Sequence, residues 1–189
     1  MNNIAIFASG SGTNAENLIH FFRTNAWGRV KLVLTNRPDA TVVKRAQNND
    51  IEAVVFDREG LYQRGSVLAL LEQKEIDFIV LAGFLWLIPT SILEAFENKI
   101  VNIHPALLPK FGGKGMYGRH VHEAVIAAGE KVSGITIHRV NPHYDEGNII
   151  FQATCPVEPG DTPESLAEKV HVLEYEHFPR VVEQLLKQL

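Results

Sequence analysis

Short apolar runs alternate with helical patterns over the first two-thirds of the chain, and this alternation restricts the fold more than any other feature. The runs are nearly continuous in apolar residues, as expected for strands buried on both faces. They cover 3–8, 30–35, 53–56, 78–82 and 100–103. Helical spacing occupies 14–24, 41–50, 61–75 and 89–97. This order predicts an α/β fold with right-handed crossovers and a doubly wound, mostly parallel sheet.

The last third of the chain has a different pattern. Segments 134–140 and 148–157 flank the turn-rich stretch NPHYDEG, so they predict an antiparallel strand pair. One helix is predicted over 120–129. A long C-terminal helix is predicted after Asp161 or Thr162 as cap, with Pro163 in its first turn. Neither a repeat nor a linker interrupts the chain, and we expect one domain of residues 1–189.

Composition excludes several classes of partner. A formal net charge of −4 gives no general attraction to nucleic acid. The longest apolar run, 78–88, is too short to span a bilayer as a helix, so we expect no membrane association. Cys155 is the single cysteine, which prevents an intrachain disulfide and fits a reducing compartment. These features predict a cytoplasmic protein.

A glycine-bearing loop follows the first strand and leads directly into a helix, in the stretch IAIFASGSGTNAENL. Gly10 and Gly12 allow close approach of the backbone to a ligand, and the free N–H groups of a helix N-terminus favour an anion. Hydroxyls of neighbouring serine and threonine residues add donors. The alternative is a tight turn in which Thr13 or Asn14 caps the helix. We favour a phosphate site, because α/β sheets bind ligands at the carboxyl ends of their strands.

Two departures argue against a dinucleotide in this loop. Ala15 stands where the third glycine of the dinucleotide fingerprint belongs, although alanine is tolerated there. Asn36 ends the second strand, where an acid would bind a ribose hydroxyl. A Walker loop is absent as well. The loop therefore predicts a site for a mononucleotide-like phosphate.

A second candidate site begins in the stretch VNIHPALLPKFGG, where a strand ends at a proline-containing loop. Asn102 and His104 are two residues apart and therefore point to the same side of an extended chain. Asp145 lies in the turn between the last two predicted strands. An amide donor, an imidazole and a carboxylate suffice for acyl transfer to an amine. A lone histidine at a strand end is also a common structural residue, so this set is a hypothesis.

Taken together, the motifs SGSGTN, VLAGF, NIHPALLPKF, GITIH, DEGNIIFQ and VEPGDT give the chain its family resemblance. The chain resembles the phosphoribosylglycinamide formyltransferase family over nearly its whole length. The resemblance implies transfer of a formyl group from the co-substrate 10-formyltetrahydrofolate to the amine of glycinamide ribonucleotide, in de novo purine biosynthesis. None of Asn102, His104 and Asp145 is a good nucleophile in this setting, so we expect direct attack by the substrate amine, without a metal.

The resemblance assigns roles to particular residues. It implies that Asn102, His104 and Asp145 are catalytic, and that residues 1–100 form a phosphate-binding half and 101–189 a catalytic and folate-binding half. The ribonucleotide phosphate and ribose are expected at Ser11, Gly12, Thr13, Asn14 and Glu174. Folate is expected at Arg58, Leu85, Trp86, Leu87, Ile88 and Asn102.

Two features depart from the family pattern. Trp86 stands where a basic residue is frequent, which changes the side-chain contacts expected for folate. The loop 112–122 is rich in glycine, and either His120 or His122 is a candidate for the substrate phosphate. As a metal site this His-x-His pair lacks a third ligand at a recognisable spacing. His138 lies between apolar residues on a strand and is expected to be structural.

Three other functions share part of this pattern. Methionyl-tRNA formyltransferases and formyltetrahydrofolate deformylases use the same Asn–His–Asp chemistry, but we expect an additional domain in each. A non-catalytic nucleotide-binding module would explain the glycine loop and leave the Asn102 and Asp145 segments without a role. We expect small-molecule substrates and a monomer or homodimer.

Overall fold

The computed structural model describes all 189 residues and contains one seven-stranded sheet. Its strands are β1 (Asn2–Phe7), β2 (Gly28–Thr35), β3 (Glu52–Val55), β4 (Phe78–Leu81), β5 (Ile100–His104), β6 (Val132–Arg139) and β7 (Ile149–Pro156). The strand order is β3-β2-β1-β4-β5-β6-β7. Pairs among β1 to β5 are parallel, whereas β6 is antiparallel to both β5 and β7. The predicted α/β fold with an antiparallel strand pair is confirmed.

Seven helices connect or follow these strands. They are α1 (Thr13–Phe22), α2 (Thr41–Asn48), α3 (Arg58–Tyr62), α4 (Ser66–Gln73), α5 (Thr90–Ala95), α6 (Arg119–Ala127) and α7 (Pro163–Leu186). The single helix predicted over 61–75 is wrong, because the chain forms α3 and α4 there. Gly65 separates them in the left-handed region, at φ +66°, which a continuing helix does not allow. No helix has the length and apolar composition needed to cross a membrane.

Both faces of the central strands are buried, which explains their continuous apolar sequence. In β1, Ile4 and Ile6 join one hydrophobic cluster, whereas Ala5 and Phe7 join a second cluster on the opposite face. The first cluster includes apolar residues of α1 and α7, and the second includes residues of α4 and α5. Alternation of side chains along β1 therefore anchors helices on both sides of the sheet.

The carboxyl end of β1 lies at the point where the strand order reverses. β1 pairs with β2 on one side and β4 on the other, so the loops that follow β1 and β4 diverge. The backbone N–H of Ser9 bonds the carbonyl of Gly83 at 3.0 Å and holds these loops together at their base. Such a switch point leaves a crevice above the carboxyl ends of the strands.

Helix α7 begins with the cap expected from the sequence. Thr162, one of the two predicted alternatives, is the N-cap, and it exchanges hydrogen bonds with Ser165 in a capping box. Pro163 occupies the first turn, where its missing N–H has no cost. The helix then continues through Pro179 to Leu186, so that one element carries residues from the cleft to the far edge of the core.

Candidate active site

A cleft of about 990 Å³ opens over the carboxyl ends of β1, β4 and β5. The loop after β1 lines one arm, and the loop after β4 lines another. The end of β5 and the turn that contains Asp145 line the same cleft. The cleft therefore brings together the two sites that the sequence predicts separately, the glycine loop and the Asn102–His104–Asp145 set.

The pairing of β5 with β6 positions Asn102. In this antiparallel register Asn102 lies opposite His138, and its amide nitrogen is 3.1 Å from Nε2 of that histidine. Nδ1 of His138 lies 2.8 Å from the carbonyl oxygen of Arg139 and donates to it in the neutral ring. Nε2 then accepts from Asn102, which fixes the amide orientation. The second amide hydrogen faces Oδ1 of Asp145 at 3.3 Å, a long contact.

His104 is buried at the end of β5, with 3% of its surface exposed. Its Nε2 lies 2.7 Å from the carbonyl oxygen of Phe111 and donates a hydrogen bond to it. The other nitrogen, Nδ1, is 3.5 Å from Oδ2 of Asp145. Burial lowers the pKa of His104, against the opposing effect of the Asp145 charge. A neutral ring therefore presents an unprotonated Nδ1 beside a carboxylate.

Asp145 faces these groups from the turn between β6 and β7. Its φ of +56° is in the left-handed region, which aspartate tolerates better than most residues. The N–H of Gly113 donates to Oδ2 at 3.0 Å. Burial acts to raise the pKa of Asp145, but neighbouring His138 and His104 outweigh it and leave the pKa below its ordinary value. The carboxylate is therefore ionised at neutral pH.

Glycine is required where this turn passes β6. A Cβ atom on Gly147 would lie 1.7 Å from the carbonyl oxygen of Arg139, a distance that backbone atoms cannot relieve locally. Gly112 is similarly confined, since its Cβ would meet Leu108 at 2.5 Å and Asp145 at 3.2 Å. The glycines of GNIIFQ and KFGG thus allow the close approach that places Asp145 against β5.

The glycine loop leads into α1 without a side-chain cap. Gly12 is the N-cap residue, at φ +74°, and no side chain bonds the first turn. The alternative in which Thr13 or Asn14 caps the helix is therefore wrong, and the first N–H groups remain directed toward the cleft. Ser11, Gly12, Thr13 and Asn14 all line the cleft. The side chain of Arg45 bonds the carbonyl oxygen of Ser11 at 2.9 Å and steadies the loop.

Glu174 reaches the same arm of the cleft from α7. It is 4% exposed, and its Oε2 accepts from Asn14 at 2.9 Å and from His171 at 2.7 Å. The hydrogen bond with Glu174 raises the pKa of His171. Glu174 thus lies beside the glycine loop, at the position where the resemblance implies a ribose contact.

The predicted folate residues occupy different surroundings. Leu85 and Trp86 line the cleft, next to Phe84 and Tyr144. Arg58 lies on a neighbouring groove, with its guanidinium 5.1 Å from the centre of a Trp86 ring. Leu87 and Ile88 lie further back. Ile88 is 3% exposed in the core, and the carbonyl oxygen of Leu87 accepts from Tyr62. Contacts of these five residues with folate stay a prediction.

The two candidate histidines, His120 and His122, differ clearly in their exposure. His122 is buried and lines the cleft, whereas the side chain of His120 is 64% exposed and faces Glu123. Met116 and Tyr117 line the cleft from the glycine-rich loop. No group of three or more histidine, cysteine or acidic side chains is arranged to hold a metal ion. Independence from metal stays a prediction.

Sequence analysis gave three residues no part in this site, although it named His138 as structural. His138 contacts both Asn102 and Asp145, but only the β5–β6 register reveals it. His171 lies one helical turn before Glu174, a spacing that would have suggested a pair on α7. Tyr144, adjacent to Asp145, lies 3.4 Å from the carbonyl oxygen of Leu85 and links the two loops.

Comparison with known proteins identifies the family. The family model described as formyl transferase matches residues 2–182. The chain belongs to the formyl transferase family. Among curated formyl transferases, phosphoribosylglycinamide formyltransferase of Bacillus subtilis is 35% identical, over 98% of this chain and 95% of its own length. The resemblance seen in the sequence is thereby confirmed.

Other relatives of this formyl transferase are longer. The chloroplastic phosphoribosylglycinamide formyltransferases of Vigna unguiculata and Arabidopsis thaliana are each 40% identical, over 98% and 95% of this chain. The chain spans 61% and 63% of their lengths. Among solved structures, glycinamide ribonucleotide transformylase 1 from Symbiobacterium toebii has a TM-score of 0.90 at 33% identity, covering 100% of this chain and 89% of that one.

Proposed function

We propose that this chain transfers a formyl group from 10-formyltetrahydrofolate to the amine of glycinamide ribonucleotide, in de novo purine biosynthesis. The observation that carries the proposal is one cleft lined both by the glycine loop and by Asn102, His104 and Asp145. The loop suits a phosphate and the central cluster suits acyl transfer to an amine. The names of the relatives support the same reaction.

Asn102 acts on the formyl oxygen. Negative charge develops on this oxygen as the amine attacks the formyl carbon, and an amide donor stabilises that charge. The contact from Asn102 to Asp145 is long at 3.3 Å, so the formyl oxygen replaces it at little cost. His138 retains the other amide hydrogen and keeps Asn102 oriented.

His104 and Asp145 manage the proton. The attacking amine must lose a proton, and Nδ1 of neutral His104 is free to accept it because Nε2–H is bonded to Phe111. The imidazolium so formed is stabilised by Asp145, whose Oδ2 is 3.5 Å from Nδ1. The proton leaves with N10 of the folate when its bond to the formyl carbon breaks. None of the three side chains forms a covalent bond.

The binding residues divide between the two arms. The ribonucleotide phosphate binds backbone N–H groups of Ser11, Gly12, Thr13 and Asn14, and Glu174 accepts from the ribose. Folate, which supplies the formyl group on N10, binds beside Leu85 and Trp86, and its carboxylate tail extends toward Arg58. The aromatic surface of Phe84, Trp86 and Tyr144 fits a flat ring system. The proposed folate-binding residues also include Leu87, Ile88 and Asn102.

The remaining expectations are part of the same proposal. Residues 1–100 form the phosphate-binding half and 101–189 the catalytic and folate-binding half of a single domain. The enzyme acts in the cytoplasm as a monomer or homodimer, on small molecules alone and without a metal. Nucleic acid and membranes have no role in the reaction.

A single assay tests this function. Purified protein is mixed with 10-formyltetrahydrofolate, and formation of tetrahydrofolate is followed with and without glycinamide ribonucleotide. We expect turnover only with the ribonucleotide, and formylated ribonucleotide as the product. Release of formate in its absence would establish a deformylase instead. Binding of ribonucleotide without any turnover would indicate a non-catalytic nucleotide-binding module.

A further inference from the structure

A buried hydroxyl group holds the base of the loop 105–113, which follows β5. Thr136 on β6 is fully buried, and its Oγ1 donates to the carbonyl oxygen of Ala106 at 2.7 Å. The same oxygen accepts from the backbone N–H of Leu108 at 3.0 Å. Residues 105–113 form neither helix nor strand, so their buried backbone groups need partners outside a ladder. Thr136 supplies two of these partners.

A side chain of the edge strand β7 supports this hydroxyl group. Gln152 lies opposite Thr136 in the strand register, and its Nε2 donates to Oγ1 of Thr136 at 2.9 Å. The same nitrogen donates its second hydrogen to the carbonyl oxygen of Leu108 at 3.1 Å. The hydroxyl of Thr136 thus uses its one donor and both of its acceptor positions. Two neighbouring strands therefore fix the base of the loop together.

The far end of the same loop carries backbone groups that contact both His104 and Asp145. The carbonyl oxygen of Phe111 accepts from Nε2 of His104 at 2.7 Å, and the N–H of Gly113 donates to Asp145 at 3.0 Å. Phe111 has a φ of +56°, a left-handed conformation that is rare for a bulky residue. The direction of its carbonyl group is therefore set by the contacts that hold the loop, and not by the local preference of the chain.

Two acceptors compete for the proton of the neutral His104 ring. The carbonyl oxygen of Phe111 holds this proton on Nε2, whereas Asp145, with Oδ2 3.5 Å from Nδ1, attracts it to Nδ1. Only the first arrangement leaves Nδ1 able to accept a proton from an attacking amine. A shift of Phe111 by about 1 Å would break its hydrogen bond with His104 and favour the second arrangement.

We propose that Thr136, supported by Gln152, is a positioning residue that keeps the proton of His104 on Nε2 through the carbonyl group of Phe111. Neither Thr136 nor Gln152 lines the cleft, so both act on the reaction only through the loop. The expected effect on turnover rests on the proposed function. The position of the proton on His104 is a property of the protein without substrate, and it can be measured separately.

The test compares Thr136→Val, which removes the hydroxyl group at nearly constant volume, with Thr136→Ser, which retains it. The position of the proton on His104 is read from the NMR shifts of its ring nitrogens at neutral pH, assigned by their loss in His104→Ala. We expect the Nδ1–H form to appear in Thr136→Val. Its kcat should fall about tenfold or more, with unchanged KM for both substrates. Thr136→Ser should keep the proton on Nε2 and most of the turnover.

Gln152→Leu provides a second measurement that does not disturb a buried residue. Gln152 is exposed on β7, so its replacement leaves the core intact, and the variant decides the question if Thr136→Val does not fold. We expect the same change of His104 to a smaller extent, with kcat lower by about threefold, as for the loss of one supporting hydrogen bond. The matched control is Thr154→Val, at an exposed position of the same strand, which should change neither quantity.

Two results would overturn the inference. One is a His104 proton that stays on Nε2 in folded Thr136→Val and Gln152→Leu, whatever their melting temperatures. The other is a lower melting temperature with unchanged kcat, which would show that Thr136 has a purely structural role. If wild-type protein does not formylate the ribonucleotide, the proposed function fails instead, and the NMR comparison still decides whether Thr136 controls the proton of His104.

Discussion

The side chains of Asn102, His104 and Asp145 are each held by a contact that involves no substrate. Asn102 is held by His138, His104 by the carbonyl oxygen of Phe111 and Asp145 by the N–H of Gly113. A donor that is already oriented loses little freedom when charge develops on the substrate, which is the basis of electrostatic catalysis. The neighbouring groups thus fix the orientation of the three side chains before substrate binds.

Substitution of these residues should affect turnover far more than binding. Removal of an oxyanion donor typically lowers rate by about two to three orders of magnitude, and we expect this loss for Asn102→Ala. His104→Ala and Asp145→Ala should also lower single-turnover rates strongly with little change in Kd. Since the proposed mechanism has His104 and Asp145 act on one proton, the double mutant should be little slower than the slower single mutant.

The control for these variants is thermal stability. A histidine with a purely structural role would give His104→Ala a lower melting temperature and nearly normal turnover in the folded fraction. A stable His104→Ala protein that works at the wild-type rate would exclude the proposed mechanism.

The glycine loop allows a steric test of phosphate binding. A Cβ atom on Gly10 would have no protein atom within 4 Å, so Gly10→Val should fold normally while its side chain enters the cleft. We expect about a tenfold or greater loss of ribonucleotide affinity and unchanged folate affinity, both measured by calorimetry.

Gly12→Val provides the comparison for this test. A Cβ atom on Gly12 would lie 2.4 Å from Cγ2 of Val42, in addition to the positive φ of this position. The Gly12→Val protein should therefore have a lower melting temperature as well as a lower affinity for the ribonucleotide. If a stable Gly10→Val protein lost affinity for the ribonucleotide and for folate equally, the phosphate site would not be at the glycine loop.

At the scale of elements, the turn before α7 is held by the carboxylate of Asp161. Asp161 accepts from the N–H of Glu158 at 2.8 Å, from Ser165 at 2.7 Å and from Lys169 at 2.7 Å. These contacts lower the pKa of Asp161 to about 2, with the hydrogen bond from Lys169 as the largest cause. The cap fixes the start of the helix that carries His171 and Glu174 into the cleft.

Asp161→Asn should reveal this contribution through its dependence on pH. The ordinary pKa of this carboxyl is 3.8, and the pKa falls to about 2 in the folded protein. Its stabilising effect is therefore complete above about pH 4 and is lost as pH falls toward 2. We expect Asp161→Asn to melt several degrees lower than wild type at pH 7, with the difference shrinking below pH 4. A constant difference across this range would contradict the assignment.

The elements themselves were largely predictable from sequence, for a physical reason. Central strands buried on both faces must be apolar throughout, and the turn-rich stretch between β6 and β7 marks that pair, so all seven strands are predicted within a few residues. The break between α3 and α4 was missed, because an isolated glycine such as Gly65 is tolerated in many helices. Its left-handed conformation is a property of the folded backbone, which the sequence pattern does not contain.

The candidate site was predictable only in part, since it is assembled by strand register. Alternation placed Asn102 and His104 on one side of β5, and turn composition pointed to Asp145. His138 entered the cluster because β6 pairs with β5 at that residue, and periodicity does not fix this register. The pairing of Asn14 with Glu174 joins residues 160 positions apart, which only tertiary structure can bring together.

For the whole molecule, buried neutral histidines should make stability fall in mild acid. Burial lowers the pKa of both His104 and His122 from the ordinary value of 6.5. The unfolded chain then binds more protons than the folded one, so the free energy of unfolding decreases as pH falls below about 7. The raised pKa of His171 acts in the opposite direction, since its stabilising effect is present below pH 6.5 and lost at higher pH.

Comparison of His122→Leu with wild type isolates one of these histidines. The variant should gain stability relative to wild type as pH is lowered from 7.5 to 5.5, in urea unfolding monitored by fluorescence. A difference that stays constant over this range would show that His122 is not held neutral by the fold.

The two arms of the cleft should respond separately to the two substrates. Segments 84–89 and 140–146 contain no helix or strand, so we expect their amides to exchange readily until a ligand covers them. Tyr144 links these segments through the carbonyl oxygen of Leu85, and both line the cleft at the aromatic arm. A non-reactive folate analogue should therefore slow hydrogen exchange in 84–90 and 140–146. Glycinamide ribonucleotide should slow it in 10–14 instead. If the folate analogue protected only residues 10–14, the assignment of folate to the aromatic arm would be wrong.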